Sequence, residues 1–262
     1  MARKRISQVL FVFSIVLSLT LASCGGGGLS FFATETPTPT QTFTPTATFP
    51  PSPTATATQT PTPTPLPTGV ESQEQADGSV VFVDYDNKYQ LTLLSTWVAI
   101  PVTKGDLNDA INELASAKPE LAEAAEQFKD LDANVIRLVA LNGNPDYIKG
   151  GGAPNMIITA FPDAVMATMP LSFVTGAMEE GLTQQGFTII TEGVNTIENT
   201  NGVEVQYIDL EQTVEGTVIT QRILFFQTKE KLIMVTFTTQ TEFSEAIFAE
   251  AELIGATIEL LK

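Results

Sequence analysis

The residues that could do chemistry are few in this chain of 262 residues, which contains no histidine and one cysteine. Without histidine, a single thiol cannot complete a Ser-His-Asp or Cys-His nucleophilic site, or a zinc or transition-metal site ligated by histidine or cysteine. Carboxylate acid–base chemistry, a Ser-Lys nucleophile and oxygen-ligated calcium or magnesium remain open. No catalytic, cofactor-binding or metal-binding residue is identified by a motif.

The one cysteine, Cys24, closes an apolar run that follows a basic segment at residues 3–5. A basic start, an apolar stretch from Val9 to Leu21 and small residues before a cut are typical of a secretory signal. About 13 apolar-leaning residues are fewer than the roughly 20 that a membrane-spanning helix needs. Residues 1–23 are therefore predicted to be a signal peptide.

Leu21-Ala22-Ser23-Cys24 resembles a bacterial lipobox, in which the thiol receives a diacylglyceryl group and the chain is cut just before it. The resemblance implies a lipid on Cys24 and a protein anchored to a bacterial cell membrane, outside the cytoplasm. Stable anchoring takes more than one acyl chain. The alternative is a stray thiol, but exported folds that use cysteine structurally use it in pairs, so a lone cysteine favours lipidation.

Asp84-Tyr85-Asp86-Asn87 superficially suggests a calcium-binding loop. An EF-hand loop requires an oxygen ligand at its fifth position, glycine at its sixth and glutamate at its twelfth. Those positions hold Lys88, Tyr89 and Ser95. The segment is therefore predicted to be a solvated turn.

Glu120, Glu123 and Glu126 recur every three residues and would share one helix face. That face could gather a cation or a basic partner, but a solvated face is the preferred interpretation. The glycine-rich segment Lys149-Gly150-Gly151-Gly152-Ala153 lacks the spacing of a phosphate-binding loop, so it is predicted to be a flexible loop. Closure of this loop over a ligand is the alternative.

Two further residues have both a structural and a functional interpretation. Trp97 is predicted to be a core or rim anchor, with a ligand platform as the alternative. Arg222 lies in a run of strand-forming residues, which favours a structural ion pair or an outward-facing position over a catalytic or anion-binding role.

The charge of the chain limits its partners. Without residues 1–23, 10 basic and 30 acidic residues remain, a formal charge of −20. Binding to nucleic acid is disfavoured because it depends on lysine and arginine neutralising phosphates, and attraction to anionic lipid is disfavoured equally. An acidic surface can suit a cationic partner or loosely held divalent ions, although a soluble, self-repelling surface is the simpler interpretation.

Composition divides the chain into four parts. The predicted signal peptide, residues 1–23, precedes a glycine-rich, anchor-proximal segment at 24–33 and a threonine- and proline-rich linker at 34–68. The linker lacks apolar residues for a core and is predicted to be a disordered, extended tether, with a proline-rich recognition ligand as the alternative. Fully extended, it would span on the order of 100 Å. Residues 69–262 suit one globular domain.

Hydrophobic periodicity and turn residues predict the elements of this domain. A helix capped by Asp106 begins near Leu107, and a second helix follows Pro119. The other predicted helices cover 171–182 and 242–254. The predicted strands cover 80–83, 89–93, 135–141, 156–161, 187–190, 203–210, 218–227 and 232–239, with a short strand within 256–260. The last three long strands are expected to form an antiparallel meander.

Several of these segments resemble the PsbP/Mog1-like family over most of residues 79–262. The resemblance is carried by Tyr89-Gln90-Leu91-Thr92-Leu93, Ser95-Thr96-Trp97, the Asn201-Gly202 turn, segments 220–226 and 232–238, and the final helix. Two features depart from the family: Ser95-Thr96-Trp97-Val98 replaces the usual proline before an aromatic–glycine start, and residues 106–130 form an acidic helical insertion. The resemblance implies an α/β/α sandwich with a central, mainly antiparallel sheet, and no shared active site.

Two hypotheses for function follow. The preferred one is a non-enzymatic binding or assembly module, anchored by lipid on Cys24 and presenting an acidic surface to another envelope protein. The alternative is a small-ligand or divalent-cation binding protein, or a carboxylate-based enzyme, with a pocket between sheet and helices. Neither hypothesis requires a cofactor or a nucleic-acid partner.

Overall fold

A computed structural model describes residues 67–102, 107–129, 131, 134–150, 152–161, 165–191, 193–214 and 216–262. The predictions for the signal peptide, Cys24, the segment 24–33 and all but the last two residues of the linker lie outside the described residues, as do Asp106 and Gly151. No helix in the described part of the chain is long and apolar enough to cross a membrane.

Twelve strands and four α-helices make up the described domain, with short 3-10 turns between some of them. The strands are β1 (Val70–Glu74), β2 (Val80–Asp84), β3 (Tyr89–Leu93), β4 (Trp97–Pro101), β5 (Ile136–Asn142), β6 (Asn155–Phe161), β7 (Thr188–Ile189), β8 (Asn195–Ile197), β9 (Val205–Val214), β10 (Thr217–Gln227), β11 (Leu232–Gln240) and β12 (Glu259–Leu260). The helices are α1 (Leu107–Ala117), α2 (Ala122–Ala125), α3 (Leu171–Gln184) and α4 (Ser244–Ala256).

The central sheet has eight strands in the order β4-β5-β6-β11-β10-β9-β7, with β8 also paired to β9. Every pairing in it is antiparallel. The predicted meander is confirmed as β9, β10 and β11. These strands contain near-continuous apolar runs such as Ile223–Phe226, which fits their position because both faces of the sheet are covered.

Helices cover both faces of this sheet. On one face α1 and α2 pack over β4–β6 and α3 packs over β9–β11, which forms two separate apolar clusters. On the other face, α4 and a second antiparallel sheet, β1-β2-β3-β12, enclose the largest cluster. The predicted α/β/α sandwich with a mainly antiparallel sheet is confirmed.

Local sequence explains several boundaries. Leu107, Ile111 and Leu114 lie about one helical turn apart and are all buried, so they form the apolar stripe that the sequence predicted for α1. Helix α3 ends just before Gly186, whose φ of 90° is the left-handed conformation that commonly terminates helices. The hairpin β2–β3 alternates buried and partly exposed side chains, as expected for a strand with one covered face.

Other predictions need correction. The helix expected after Pro119 is a series of short turns: a 3-10 turn at Pro119–Leu121, then α2, then a 3-10 turn at Glu126–Phe128. The strand expected at 187–190 shortens to Thr188–Ile189. Strands β1, β4 and β8 were not predicted.

Candidate binding surface at the distal end of the domain

The strand register gives the domain two distinct ends. At one end, which we call the entry end, Val70 pairs with Asp84 and the backbone N–H of Leu261 donates to the carbonyl of Lys88 at 2.9 Å. At the opposite end, the distal end, Glu74 pairs with Val80. The described chain therefore enters and finishes at the same end of the domain.

The distal end brings together two of the candidates singled out in the sequence. Trp97 pairs with Asn142 at the start of β4, and the loop after Asn142 carries the glycine-rich segment 149–153. The start of α4 lies at this end too, because β11 finishes here. We call the described loop residues 143–150 and 152–153, the β1–β2 turn and the first turn of α4 the distal corner.

Trp97 is buried and fixed by a carboxylate. Its Nε1 donates to Oε2 of Glu250 at 2.6 Å, and Nδ2 of Asn142 donates to the same oxygen at 3.0 Å. The Trp97 ring also meets Phe237 edge-on, with ring centroids 5.7 Å apart. The predicted role of Trp97 as a core anchor is confirmed, and Glu250 ties α4 to the start of the loop.

The glycine-rich loop is docked on the start of α4. Nζ of Lys149 lies 3.1 Å from both carboxylate oxygens of Glu242 and 4.6 Å from the ring centroid of Phe243. The ring of Tyr147 lies 5.2 Å from that of Phe243. The Lys149–Glu242 pair is half-exposed, so it contributes at most about 1 kcal/mol. The loop predicted to be flexible is thus held by several weak contacts.

The distal corner is acidic. Asp77, Asp146, Glu242 and Glu245 accompany one ammonium group there, that of Lys149. The hydroxyl and backbone N–H of Ser79 donate to Asp77 at 2.6 and 3.0 Å and lower the pKa of this carboxyl, which keeps it ionised. The corner suits a partner that carries positive charge.

Arg222 forms a closed ion-pair cluster on the α4 face. Its Nε and Nη2 donate to the two carboxylate oxygens of Asp209 at 2.7 and 2.8 Å, and its Nη1 donates to Glu252 at 2.6 Å. The guanidinium carbon lies 4.1 Å from the ring centroid of Tyr207 and 4.5 Å from that of Phe248. Burial opposes the charge, but the bonds to Asp209 and Glu252 raise the pKa of Arg222. The predicted structural ion pair is confirmed.

The turn at Asp84–Asn87 also differs from its prediction. Asp84 is fully buried and accepts hydrogen bonds from Nε and Nη2 of Arg137 at 2.8 and 3.0 Å and from Nδ2 of Asn87 at 2.7 Å. Arg137 also donates to Asp86 at 2.9 Å. The prediction of a solvated turn is wrong for Asp84 and Asn87, which are both buried, because a guanidinium from β5 neutralises Asp84 inside the domain.

The remaining acidic candidates lie on the surface. Glu120, Glu123 and Glu126 are exposed, as the preferred interpretation predicted, and Glu126 forms an ion pair with Lys129 at 2.6 Å. Among the described residues, no group of three or more acidic, cysteine or histidine side chains is placed to hold a metal ion.

Tyr89 gives a testable pH dependence. Its hydroxyl is fully buried beside the Asp84 carboxylate, but no described residue completes a hydrogen bond of good geometry with it, and burial, together with the Asp84 charge, raises its pKa well above 10.0. The pKa of Tyr89 is higher in the folded than in the unfolded protein, so ionisation of the phenol opposes folding. Below about pH 10 the phenol is neutral in both states and this effect is absent, and as the pH rises further the free energy of unfolding falls. We expect Tyr89→Phe to remove this alkaline loss and to raise the unfolding free energy by up to about 1 kcal/mol at neutral pH.

Urea unfolding of wild type and Tyr89→Phe at neutral and alkaline pH measures this difference. Tyr85→Phe is the control, because Tyr85 lies in the same hairpin and its hydroxyl donates a hydrogen bond to the exposed Glu71. A Tyr89→Phe variant that loses more than about 1 kcal/mol at neutral pH would show that the hydroxyl makes a valuable hydrogen bond.

The fold and the distal corner define a small α/β/α sandwich domain that carries a cluster of acidic side chains at its distal end. No protein-family model matches the chain, and no curated protein matches its sequence. Several solved structures resemble it at low identity, so the likeness concerns backbone arrangement alone.

A cyanobacterial PsbP (CyanoP) from Synechocystis sp. PCC 6803 is 9% identical, with 74% of this chain and 94% of that chain covered and a TM-score of 0.42. LpqN of Mycobacterium tuberculosis, described as involved in cell envelope biogenesis, is 9% identical, with 74% and 92% covered and a TM-score of 0.40. A Pseudomonas aeruginosa protein of unknown function is 20% identical, with 38% and 69% covered and a TM-score of 0.32.

Proposed function

We propose that this protein is a non-enzymatic binding or assembly module, anchored to a bacterial membrane by lipid on Cys24 and held outside the cytoplasm. The linker at 34–68 carries the domain, and the distal corner binds a positively charged region of another envelope protein. The proposal joins the lipobox-like segment of the sequence to one structural observation, the position of the distal corner relative to the point where the chain enters the domain.

That observation is the strand register. Residues 67–70, where a tether would join the domain, lie at the entry end, whereas the loop 143–153 and the start of α4 lie at the other. Strand β1, which leads from residue 70 to the β1–β2 turn of the distal corner, has five residues, and at about 3.3 Å per residue the two ends of this hairpin are roughly 16 Å apart. This distance is about twice the Debye length of about 8 Å at physiological salt. A partner at the distal corner is thus largely screened from charges at the point where the tether joins the domain.

The anchor is tested by Cys24→Ser. Without the thiol no lipid can be attached, so we expect the protein to leave the membrane fraction or to accumulate as an uncut precursor. Fractionation followed by mass spectrometry of the amino terminus measures both outcomes. Processed Cys24→Ser protein that stays on the membrane would contradict lipid anchoring, although it would leave the distal corner untouched.

The docking surface is tested by photo-crosslinking in the native membrane. A photoreactive side chain is placed at exposed Asp146 or Glu245 of the distal corner and, as a matched control, at exposed Lys229 in the entry-end turn between β10 and β11. We expect one specific adduct from the distal positions and none from Lys229. The adduct should weaken at about 1 M salt, where the Debye length falls to roughly 3 Å. Equal labelling from both ends would contradict the proposal.

A further inference from the structure

We propose that an apolar patch at the entry end of the domain rests on the phospholipid surface of the membrane that holds the anchor. The apolar patch consists of Val165, Met166, Met169 and Phe173, which lie in the loop before α3 and in the first turn of this helix. Val165 and Phe173 are 61% and 60% exposed, the highest values among the large apolar side chains of the described chain. A cluster of apolar side chains on a surface commonly marks a face that binds a partner or a membrane.

Hydrogen bonds and packing fix the apolar patch to the central sheet. Nε2 of Gln227, the last residue of β10, donates to the carbonyl oxygens of Met166 and Met169 at 2.6 and 2.8 Å. The backbone N–H of Met169 also donates to the carbonyl of Val165 at 3.2 Å. Both methionines pack against the apolar cluster under α3. The patch is therefore an ordered part of the domain, and its most exposed side chains are presented on a firm base.

The patch lies at the same end of the domain as the tether. Arg137, near the start of β5, binds Asp84 of the entry-end turn. Strands β5 and β6 are antiparallel neighbours, so the end of β6 also lies there, and its last residue, Phe161, pairs with Leu232 at the start of β11. The end of β10, which holds the patch, is therefore at the entry end, where residues 67–70 join the domain. The membrane that carries the anchor is on this side of the domain.

Lysines beside the patch complement the phosphate groups of lipids. The β10–β11 turn carries exposed Lys229 and partly exposed Lys231, with Glu230 between them, and Lys88 adds another exposed ammonium group at this end. The distal corner has a single one. The chain as a whole repels anionic lipid, but its lysines favour the end that faces the anchor. One lysine close to an anionic leaflet raises the affinity about fivefold.

A weak contact is sufficient because the anchor keeps the domain near its membrane. A flexible link gives an effective concentration in the millimolar range, so a contact with a Kd of about 1 mM forms for much of the time. The contact leaves the distal corner at the opposite end of the domain open to a protein partner. This inference rests on the lipid anchor proposed above and does not depend on docking at the distal corner.

Fluorescence quenching by lipid tests this inference with the lipidated protein in vesicles of phosphatidylcholine and phosphatidylglycerol. Ser172→Cys places a bimane label beside Phe173, and it provides the only free thiol once Cys24 is lipidated. Phosphatidylcholine brominated near the ester end of its acyl chains is the quencher. We expect strong quenching of this label and little quenching of a label on Asp146→Cys in the distal corner. Flotation of the vesicles reports the anchor separately, so a failed anchor is distinguished from a patch that does not touch lipid.

Two serine substitutions provide the matched comparison. Phe173→Ser should weaken the membrane contact about tenfold and lower the quenching at residue 172 towards that of the distal label. Val218→Ser removes an exposed apolar side chain from the distal end of β10 and should leave the quenching unchanged. Lys229→Gln should weaken the contact several-fold, and only in vesicles that contain phosphatidylglycerol.

Three results would overturn the inference. Equal quenching at residues 172 and 146 would show that the domain has no preferred side towards the membrane. Unchanged quenching in Phe173→Ser would show that the patch does not make the contact. Self-quenching between labels on two protein molecules, in place of quenching by lipid, would show that a second copy of the chain covers the patch.

Discussion

Replacing Arg222 with alanine is expected to lower the free energy of unfolding by about 3–5 kcal/mol, the cost of breaking a buried ion pair on one side. The side chains of Arg222 and Asp209 are only 8% and 7% exposed, so the variant leaves a carboxylate inside the domain without its counter-charge. It also removes the cation from between the rings of Tyr207 and Phe248. Urea unfolding at neutral pH measures the loss.

A double variant separates the buried charge from the packing. Changing Arg222 and Asp209 together to leucine removes both charges, and we expect it to recover much of the stability lost in Arg222→Ala. Lys149→Ala is the surface control. Its partner Glu242 is 53% exposed, so the loss should stay within about 1 kcal/mol. A similarly small loss in Arg222→Ala would show that water reaches the cluster.

The long central strands and the main helices could be predicted because their own residues specify them. The segments that became β10 and β11 each contain a continuous apolar run, Ile223–Phe226 and Leu232–Val235, and α1 carries its stripe at helical spacing. Strand β1 could not be found this way. Four of its five residues, Glu71–Glu74, are exposed and polar, so it exists because its backbone pairs with β2.

The side-chain clusters could be predicted only in part. The strand context of Arg222 and the aromatic bulk of Trp97 favoured structural roles, and both predictions are confirmed. Their partners could not be named, because Glu252 lies 30 residues from Arg222 and Glu250 lies 153 residues from Trp97. Such pairs depend on which strands and helices become neighbours.

The Asp84 turn shows how a local rule fails. Asp and Asn are common in exposed turns because they bond to nearby backbone, and Asp84 does accept from the backbone N–H of Asn87 at 3.1 Å. Its burial depends on Arg137, which lies 53 residues further along the chain. Without that guanidinium a buried carboxylate would be too costly, so a solvated turn was the reasonable expectation.

The second large effect is expected for Asp84→Ala, which should lower the free energy of unfolding by about 2–3 kcal/mol. Asp84 joins the β2–β3 turn to β5 by accepting hydrogen bonds from Nε and Nη2 of Arg137. Its side chain is 0% exposed. Arg137 keeps Asp86 as a partner, which is why the loss is smaller than for Arg222→Ala. Chemical denaturation followed by tryptophan fluorescence measures it, because Trp97 is buried in the same core.

Asp86→Ala is the matched control for this prediction, because it removes a carboxylate that binds the same guanidinium from the same turn. The side chain of Asp86 is 46% exposed, so solvent screens its attraction to Arg137 and the loss should not exceed about 1 kcal/mol. Burial, rather than the number of charges around Arg137, then determines which aspartate holds the entry end together. Equal losses in Asp84→Ala and Asp86→Ala would show instead that the two carboxylates act as one solvated pair.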